Sequence, residues 1–453
     1  METIWAGDAL LDDGWARGVA LTLDGGRITA VERGVPETGR RVEVLLPAPT
    51  NLHSHAFQRA MAGLTEFRGP DPSDSFWTWR QLMFRFLDRL TPDHVEAIAA
   101  FVQMEMLEAG YGAGVEFHYL HHAPGGTPYA NLGEMSARIA AAATTSGIGL
   151  TLLPVLYQQG GCDGRPLAPG QIRFGNAIDA FAALMEAAGT SVAALPPDAR
   201  LGLAVHSLRA VAPDPMRQVL ERFGDGPIHM HLAEQVPEVV EVEAALGARP
   251  VRWALDNLPL DPRWCLIHCT QMEPAETLGL AATGAVAGLC PITESNLGDG
   301  IFDGVRYLAA GGRIGVGSDS NIRIALAEEL RTLEHSQRLK HRGRAMLAEP
   351  SRSTGRRLWE EVAAGGAQAA GRDCGRIAPG ALADLVALDG SGVDLAGLSG
   401  DMRIDAFVFA AMDRCVADVW SAGRHMVTEG RHVRREAITT AYRRALTDLR
   451  EAV

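Results

Sequence analysis

Short apolar runs alternate with longer amphipathic stretches through the middle of the chain. Eight short apolar runs that end in polar residues are candidate strands; they lie at 44–50, 114–119, 149–157, 201–206, 228–231, 264–268, 285–289 and 313–318. A helical pattern follows each of them, and strands that alternate with helices pair in parallel. Eight such units predict an α/β fold of the (β/α)8 TIM-type barrel class. An open doubly wound sheet is the alternative, and the absence of Gly-x-Gly-x-x-Gly after the first strand disfavours it.

Both ends of the chain have a different pattern of short strands and turns. The strand-like runs lie at 3–6, 19–23, 28–32, 384–388, 406–410 and 416–421, and Asp24-Gly25-Gly26 is a hairpin signal. Neither end alone is large enough to bury a core. We therefore expect one small β-sandwich domain from residues 1–47 plus 375–435, a barrel over 48–374, and a C-terminal helix over 436–453.

Composition and charge narrow the function classes. The 453 residues are 47% apolar and 21% charged, which is typical of a globular protein. The net charge of −13 argues against nucleic acid as a partner, because no basic tail compensates it. An anionic substrate would need local arginines to overcome this field.

The spacing of the six cysteines and the lack of a long apolar segment predict the cellular compartment. The cysteines form no C-x-x-C pair, which favours a reduced, cytoplasmic environment. We find no leader pattern at the start and no uninterrupted apolar segment of about 18 residues, so we expect neither secretion nor a membrane span.

Histidines and carboxylates recur where the predicted barrel strands end. His53 and His55 follow strand one, His231 lies on strand five, His268 ends strand six and Asp319 ends strand eight. Catalytic side chains of such barrels lie at these ends. A single buried histidine is more often a core residue than a ligand. A histidine or carboxylate at four strand ends in order is much less expected by chance. Three imidazoles and one carboxylate suit one divalent metal per chain, so we assign His53, His55, His231 and Asp319 as ligands. Zinc is the first candidate, with Fe(II) or Mn as alternatives.

Two further residues complete a hydrolytic site. Glu234 lies three residues past His231 and is a candidate proton shuttle, and His268 could orient the attacking water or polarise the leaving group. The metal would lower the pKa of its water to about 7 and so provide a metal-activated hydroxide, with Asp319 next to it as a third catalytic group. His229 shares the strand face of His231 one layer deeper and is the weaker ligand candidate.

The constellation, both β pieces and the Gly-Ser-Asp-Ser end of strand eight resemble the amidohydrolase superfamily over nearly the whole chain. Strand four, 203–206, ends without the lysine that binuclear members carboxylate, and Lys340, the only lysine, lies in a polar segment elsewhere. The chain is therefore similar to the mononuclear deaminase branch. The strings at 51–64 and 116–122 resemble the formimidoylglutamate deiminases.

This resemblance implies a metal-dependent hydrolase of histidine degradation. Its reaction would be the hydrolytic deimination of the linear amidine N-formimino-L-glutamate to N-formyl-L-glutamate and ammonia, with a small dicarboxylate as the substrate and a homodimer as the assembly. A deaminase acting on a purine or other cyclic amidine is the alternative. A metal-free barrel used as a scaffold is disfavoured, because every expected ligand is present.

Arginines and a set of polar residues are candidates for binding the substrate. Arginine matches carboxylates through two parallel hydrogen bonds, which favours Arg209 after strand four and Arg80 in the insertion after strand one. A loop ion pair and a surface position are the alternative readings of these two. The resemblance adds the remaining substrate-binding candidates, which are Gln58, Tyr119, His206 and Ser320. Gln58 could instead cap a helix, and His118, His121 and His122 have no assigned role beyond packing or loop bonding.

Overall fold

The computed structural model describes residues 1–66 and 83–450. Within them, the strands are β1 (Glu2–Leu11), β2 (Gly14–Asp24), β3 (Arg27–Glu32), β4 (Arg40–Pro47), β5 (Thr50–Asn51), β6 (Ala113–His118), β7 (Gly149–Leu156), β8 (Arg200–Leu201), β9 (Leu203–Val205), β10 (Ile228–Leu232), β11 (Trp264–His268), β12 (Val286–Leu289), β13 (Arg313–Val316), β14 (Leu385–Leu388), β15 (Val416–Ser421), β16 (Arg424–Thr428) and β17 (Arg431–His432).

The helices of these residues surround the strands or close the chain. They are α1 (Pro92–Glu108), α2 (Glu134–Ser146), α3 (Ile178–Ala193), α4 (Pro213–Phe223), α5 (Val236–Leu246), α6 (Pro250–Asn257), α7 (Pro274–Ala282), α8 (Pro291–Leu297), α9 (Gly304–Ala309), α10 (Leu326–His341), α11 (Thr354–Ala369), α12 (Asp401–Ala406) and α13 (Arg435–Arg450). None of the helices in this part of the chain has both the length and the apolar character that crossing a bilayer requires.

The central strands form the nearly closed parallel barrel that the alternating pattern predicts. The strand order runs from β5 through β6, β7, β9, β10, β11 and β12 to β13, and β8 pairs with β7 as the first piece of the fourth strand. The two edges meet where Leu52 N donates to Val316 O at 3.0 Å and Asp319 N donates to His53 O at 2.9 Å. This closure brings the first and eighth strand ends together.

The two chain ends build one eight-stranded sheet, as expected for the small β unit. Its order is β17-β16-β15-β14-β4-β1-β2-β3, with β4 parallel to β1 and antiparallel to β14. A buried apolar cluster joins residues of both ends, including Ile4, Leu21, Leu385 and Trp420. We propose the domain division at 1–47 plus 375–435, 48–374 and 436–453 on this basis.

The run at 406–410 is not the strand that the sequence predicted. α12 ends at Ala406, and the chain continues in a wider helical turn over Phe407–Ala411. Phe407 and Val408 are fully buried, and Trp359 of α11 meets the Phe407 ring at a centroid distance of 5.3 Å. A short apolar run has no period that separates a strand from a helix, which explains the error.

Candidate active site

The four predicted metal ligands converge at the carboxyl ends of the barrel strands. His53 Nε2 lies 3.1 Å from His231 Nε2, and His55 Nε2 lies 3.3 Å from the same atom. Asp319 Oδ1 is 3.5 Å from His53 Nε2 and 3.3 Å from His55 Nε2. All four side chains are buried. The strands therefore place four donor atoms around one point.

The spacing and the chemistry of this donor set fit a divalent metal. Ligand distances of about 2.0–2.1 Å in a tetrahedral site separate the donor atoms by about 3.3–3.4 Å, close to the spacing found here. His55 Nδ1 donates to Phe117 O at 3.0 Å and His231 Nδ1 donates to His206 O at 3.1 Å. A proton on Nδ1 leaves the Nε2 lone pair free to coordinate.

Burial sets the charge state of these groups. It lowers the pKa of His53 to about 3 and holds the pKa of His231 well below the usual value, so both imidazoles are neutral at neutral pH. Burial alone would raise the pKa of Asp319, but its hydrogen bond to His53 and the nearby imidazoles hold it below the usual range. Neutral imidazoles and an ionised carboxylate are the forms that bind a metal.

The end of strand eight is shaped to reach His53. A Cβ on Gly317 would lie 2.6 Å from His53 N, so only glycine allows this approach. Asp319 then adopts a left-handed φ of 46°, and the Ser318 hydroxyl, which accepts from Asn51 Nδ2 at 2.7 Å, holds the turn. Sequence reasoning missed Asn51 and Ser318, although both lie beside predicted ligands.

Glu234 and His268 lie together beside the metal-ligand group. Glu234 Oε1 is 3.7 Å from His268 Nε2, which is 3.8 Å from Asp319 Oδ2. Burial raises the pKa of Glu234 to about 7, so this carboxyl can take up and release a proton near neutral pH. Burial alone would lower the pKa of His268, but the surrounding carboxylates outweigh it and hold that pKa well above the usual value.

Two buried carboxylates behind this pair were not foreseen. Glu238 accepts from Ala233 N at 3.1 Å and from Glu234 N at 3.0 Å, and Glu294 Oε1 lies 3.2 Å from His268 Nδ1. Each occupies the first turn of the helix that follows a barrel strand. An acidic residue at that position was the available signal, but many helices carry one there for capping alone.

The predicted substrate residues that the structure describes line the cavity above the ligands. Gln58, Tyr119, His206, Arg209 and Ser320 all border it, together with Glu234 and His268. Gln58 Nε2 donates to the Tyr119 hydroxyl at 2.8 Å, so its amide faces the cavity and caps no helix. Arg80 lies outside the described residues.

Arg209 is a buried cation at the cavity wall. Its side chain is 8% exposed. Burial alone would lower its pKa, but Glu238 and other neighbouring groups outweigh it and the pKa is raised. Arginine stays charged in any case, so it presents a positive charge to whatever enters the cavity.

An apolar wall completes the cavity. Met83, Tyr157, Phe174 and Leu297 line it, and Met83 Sδ accepts from Gln58 Nε2 at 3.6 Å. None of these four was predicted as a site residue, because an apolar side chain that lines a cavity has the same sequence pattern as one that packs in the core.

Three other buried histidines bond the backbone. His229 Nε2 donates to Ala369 O at 2.7 Å, His121 Nε2 to Val155 O at 3.0 Å and His122 Nε2 to Gly175 O at 2.8 Å. For His121 and His122 these contacts match the loop-bonding reading, whereas His118 Nε2 is buried without a hydrogen-bond partner among the described residues. Lys340 is exposed and does not line the cavity.

Family models match almost the whole chain. The amidohydrolase family model covers residues 44–426, and the model of the N-terminal domain of formimidoylglutamate deiminase HutF covers residues 1–40. A formimidoylglutamate deiminase of Pseudomonas aeruginosa PAO1 is 47% identical over 464 residues, which span 99% of this chain and 100% of that protein. A 5-methylthioadenosine/S-adenosylhomocysteine deaminase of Natronomonas pharaonis is 27% identical over 76% of this chain and 73% of its own.

Solved structures give the same picture of the fold. An amidohydrolase from Brucella melitensis superposes with a TM-score of 0.96 at 48% identity, covering 99% of this chain and 100% of its own. An adenosine deaminase from Xanthomonas campestris with bound zinc has a TM-score of 0.82 at 20% identity, over 99% of this chain and 98% of its own. At that identity the second likeness shows the fold alone.

Proposed function

Because the chain belongs to the amidohydrolase family and, within it, to the formimidoylglutamate deiminases, we propose that it hydrolyses N-formimino-L-glutamate to N-formyl-L-glutamate and ammonia in histidine degradation. It is a hydrolase acting on a C–N bond. The observation that carries this assignment is the buried Arg209 in the same cavity as Glu234 and the metal-ligand group. The cation suits a carboxylate of the substrate, and the acid and ligand groups suit the formimino end.

His53, His55, His231 and Asp319 would hold one divalent ion, with zinc as the first candidate and Fe(II) or Mn as alternatives. When bound, such an ion supplies hydroxide at neutral pH by lowering the pKa of a water to about 7. His53 and Asp319 also hold the first and last barrel strands together through their backbone bond, so the ligands sit on a rigid frame.

Glu234 and His268 would carry out the proton transfers. The oxygen of water bonds to the formimino carbon, the bond from this carbon to the terminal nitrogen breaks, and that nitrogen leaves as ammonia. Glu234, with its pKa near 7, passes the two protons of the water to this nitrogen one after the other, so that the =NH group leaves as NH3 and the oxygen remains on the carbon as the formyl carbonyl. His268, 3.7 Å from Glu234, lies where its Nε2 could hold the attacking water in line.

Arg209 would grip one carboxylate of the glutamate part, and Arg80 remains a proposed second contact. Gln58, Tyr119, His206 and Ser320 would surround the remainder of the substrate. All four already bond a neighbour, as Ser320 Oγ does with Thr293 Oγ1 at 3.0 Å and His206 Nδ1 with Ser207 Oγ at 3.0 Å. Such bonds hold the cavity in shape before substrate enters.

A purine or cyclic-amidine deaminase is the second candidate, supported by the 27% identical relative from Natronomonas pharaonis. A buried arginine facing the cavity is a poor partner for a neutral base, which favours the dicarboxylate. We also propose a cytoplasmic homodimer. The six free cysteines support the reducing compartment, and the dimer rests on the resemblance alone.

The reaction predicts which of two C–N bonds is cleaved. Incubation of the purified protein with N-formimino-L-glutamate should yield ammonia and N-formyl-L-glutamate in equal amounts, as measured by an ammonia assay together with NMR of the products. Cleavage of the other bond would give formamide and glutamate. Formamide as the main product would contradict the deiminase assignment.

The ligand set predicts one metal ion per chain. Elemental analysis of the purified protein should find about one equivalent of a divalent ion, because four donors form a single site and no lysine is available to bridge two ions. His231→Ala removes a donor and should lose the ion. Two equivalents in the active protein would contradict a mononuclear site.

A further inference from the structure

Glu294 is a buried carboxylate in contact with His268 on the side away from the cavity. Its side chain is in α8, which follows the seventh barrel strand, and is 6% exposed. Oε1 lies 3.2 Å from His268 Nδ1, while the opposite ring atom, Nε2, faces Glu234 and Asp319. The imidazole is therefore held between Glu294 behind it and the reaction side in front.

The contact fixes which nitrogen of His268 carries a proton. Glu294 Oε1 also accepts from Cys290 N at 2.8 Å, so this oxygen acts as an acceptor. An acceptor at 3.2 Å requires a proton on His268 Nδ1. That arrangement directs Nε2 toward the cavity, where it faces Glu234.

The backbone beneath His268 needs such support. His268 and Cys269 both have left-handed φ values, 73° and 50°, which non-glycine residues adopt only where their surroundings hold them. Cys269 N donates to Leu232 O at 3.0 Å and so holds the backbone to strand five. Within the described residues, the bond to Glu294 is the one that Nδ1 makes, so it sets the orientation of the ring.

We propose that Glu294 is a positioning residue for the reaction, acting through His268 to hold its ring and its Nδ1 proton while Nε2 serves the attacking water. The inference rests on the proposed deiminase function. Glu294 does not line the cavity, so it acts on the reaction only through His268. Its effect should therefore fall on kcat rather than on KM.

Glu294→Gln tests this role, because the amide keeps the size of the side chain and an acceptor for Cys290 N but replaces the charge-assisted bond to His268 Nδ1 with a weaker, neutral one. Loss of a group that orients a catalytic histidine typically costs about 10- to 100-fold in activity, so we expect kcat to fall by that factor. KM for N-formimino-L-glutamate, metal content and the thermal unfolding midpoint should stay close to the parent values.

Glu329→Gln is the matched control. Glu329 is fully buried and its Oε2 accepts from Ile292 N at 2.9 Å, in the same helix that Glu294 anchors through Cys290 N. Its side chain bonds this amide rather than His268. Burial raises the pKa of Glu329 well above the usual value, so the control reproduces the exchange of a buried carboxyl group for an amide beside α8 rather than the loss of a charge, and its kcat should remain within about threefold of the parent.

Three results would overturn the proposal. They are a kcat for Glu294→Gln within about threefold of the parent, an equal loss in both variants, and a rise in KM with kcat unchanged. If Glu294→Gln does not fold, Glu294→Asp is the second variant, because it keeps the charge but withdraws it from His268 Nδ1. Its kcat should fall by the same factor. A kcat close to that of the parent in this variant would also overturn the proposal. A parent protein that does not deiminate N-formimino-L-glutamate would instead contradict the proposed function, so the two failures are distinguishable.

Discussion

Glu234→Gln is expected to lower kcat by about 10²-fold or more while the metal stays bound. The amide has nearly the shape of the carboxyl, so it preserves packing in a buried position. It cannot take up a proton from the attacking water, and burial raises the pKa of the native carboxyl to about 7, where that transfer works at neutral pH. Steady-state kinetics of ammonia release and elemental analysis of the same sample measure both parts of the prediction.

Glu276→Gln provides the control for this substitution. Glu276 is also buried, and it accepts from Glu273 N at 2.7 Å and from Arg252 N at 3.2 Å in the helix of the neighbouring barrel unit. It lies outside the cavity lining, so its loss should leave kcat near the parent value. Near-normal turnover in Glu234→Gln would show that another group transfers the proton.

Arg209→Met should lower kcat/KM for N-formimino-L-glutamate by roughly 30-fold to a few thousand-fold, since loss of a buried partner of a charged group costs about 2–5 kcal/mol. The net charge of −13 cannot attract a dicarboxylate from a distance, so recognition depends on short bonds inside the cavity. Arg209→Lys should recover little activity, because a single ammonium does not reproduce two parallel N–H donors.

A substrate analogue makes this prediction independent of folding. N-formimino-L-alanine keeps the formimino group and lacks the side-chain carboxylate, so the parent protein should process it poorly. The Arg209→Met variant should discriminate less between the two compounds, and a ratio measured within one variant cancels any loss of folded protein. Equal turnover of both compounds by the parent would refute a carboxylate clamp at Arg209.

The convergence of the four candidate metal ligands could be predicted from the sequence, because the geometry of the strands determines where these side chains lie. His53 and His55 are two residues apart at a strand end and therefore project together, and parallel strands in a barrel share one carboxyl end. His231 and Asp319 followed from the same rule. Their distances in the structure match that expectation, with each of the three histidine Nε2 atoms within 3.5 Å of another donor.

The residues that support this group could not be predicted from the sequence, because their positions depend on how the loops and helices fold back onto the barrel. Glu294 reaches His268 across 26 positions of sequence, and Met83 reaches Gln58 across 25. Neither pair has a spacing rule, since the intervening chain could take many paths. The strand predicted at 406–410 was wrong for a related reason: the packing of Phe407 and Val408 against their neighbours in space, rather than the pattern of the run itself, decides that it is helical.

The most direct test of the assignment compares kcat/KM for N-formimino-L-glutamate with kcat/KM for adenosine, using the purified, metal-loaded protein. Both values are obtained by measuring the release of ammonia. A cavity that binds carboxylates through a buried arginine and rejects a neutral base should favour the first compound by about 10³-fold or more. Faster ammonia release from adenosine, with little or none from N-formimino-L-glutamate, would contradict the assignment and make the cyclic-amidine deaminase the better reading.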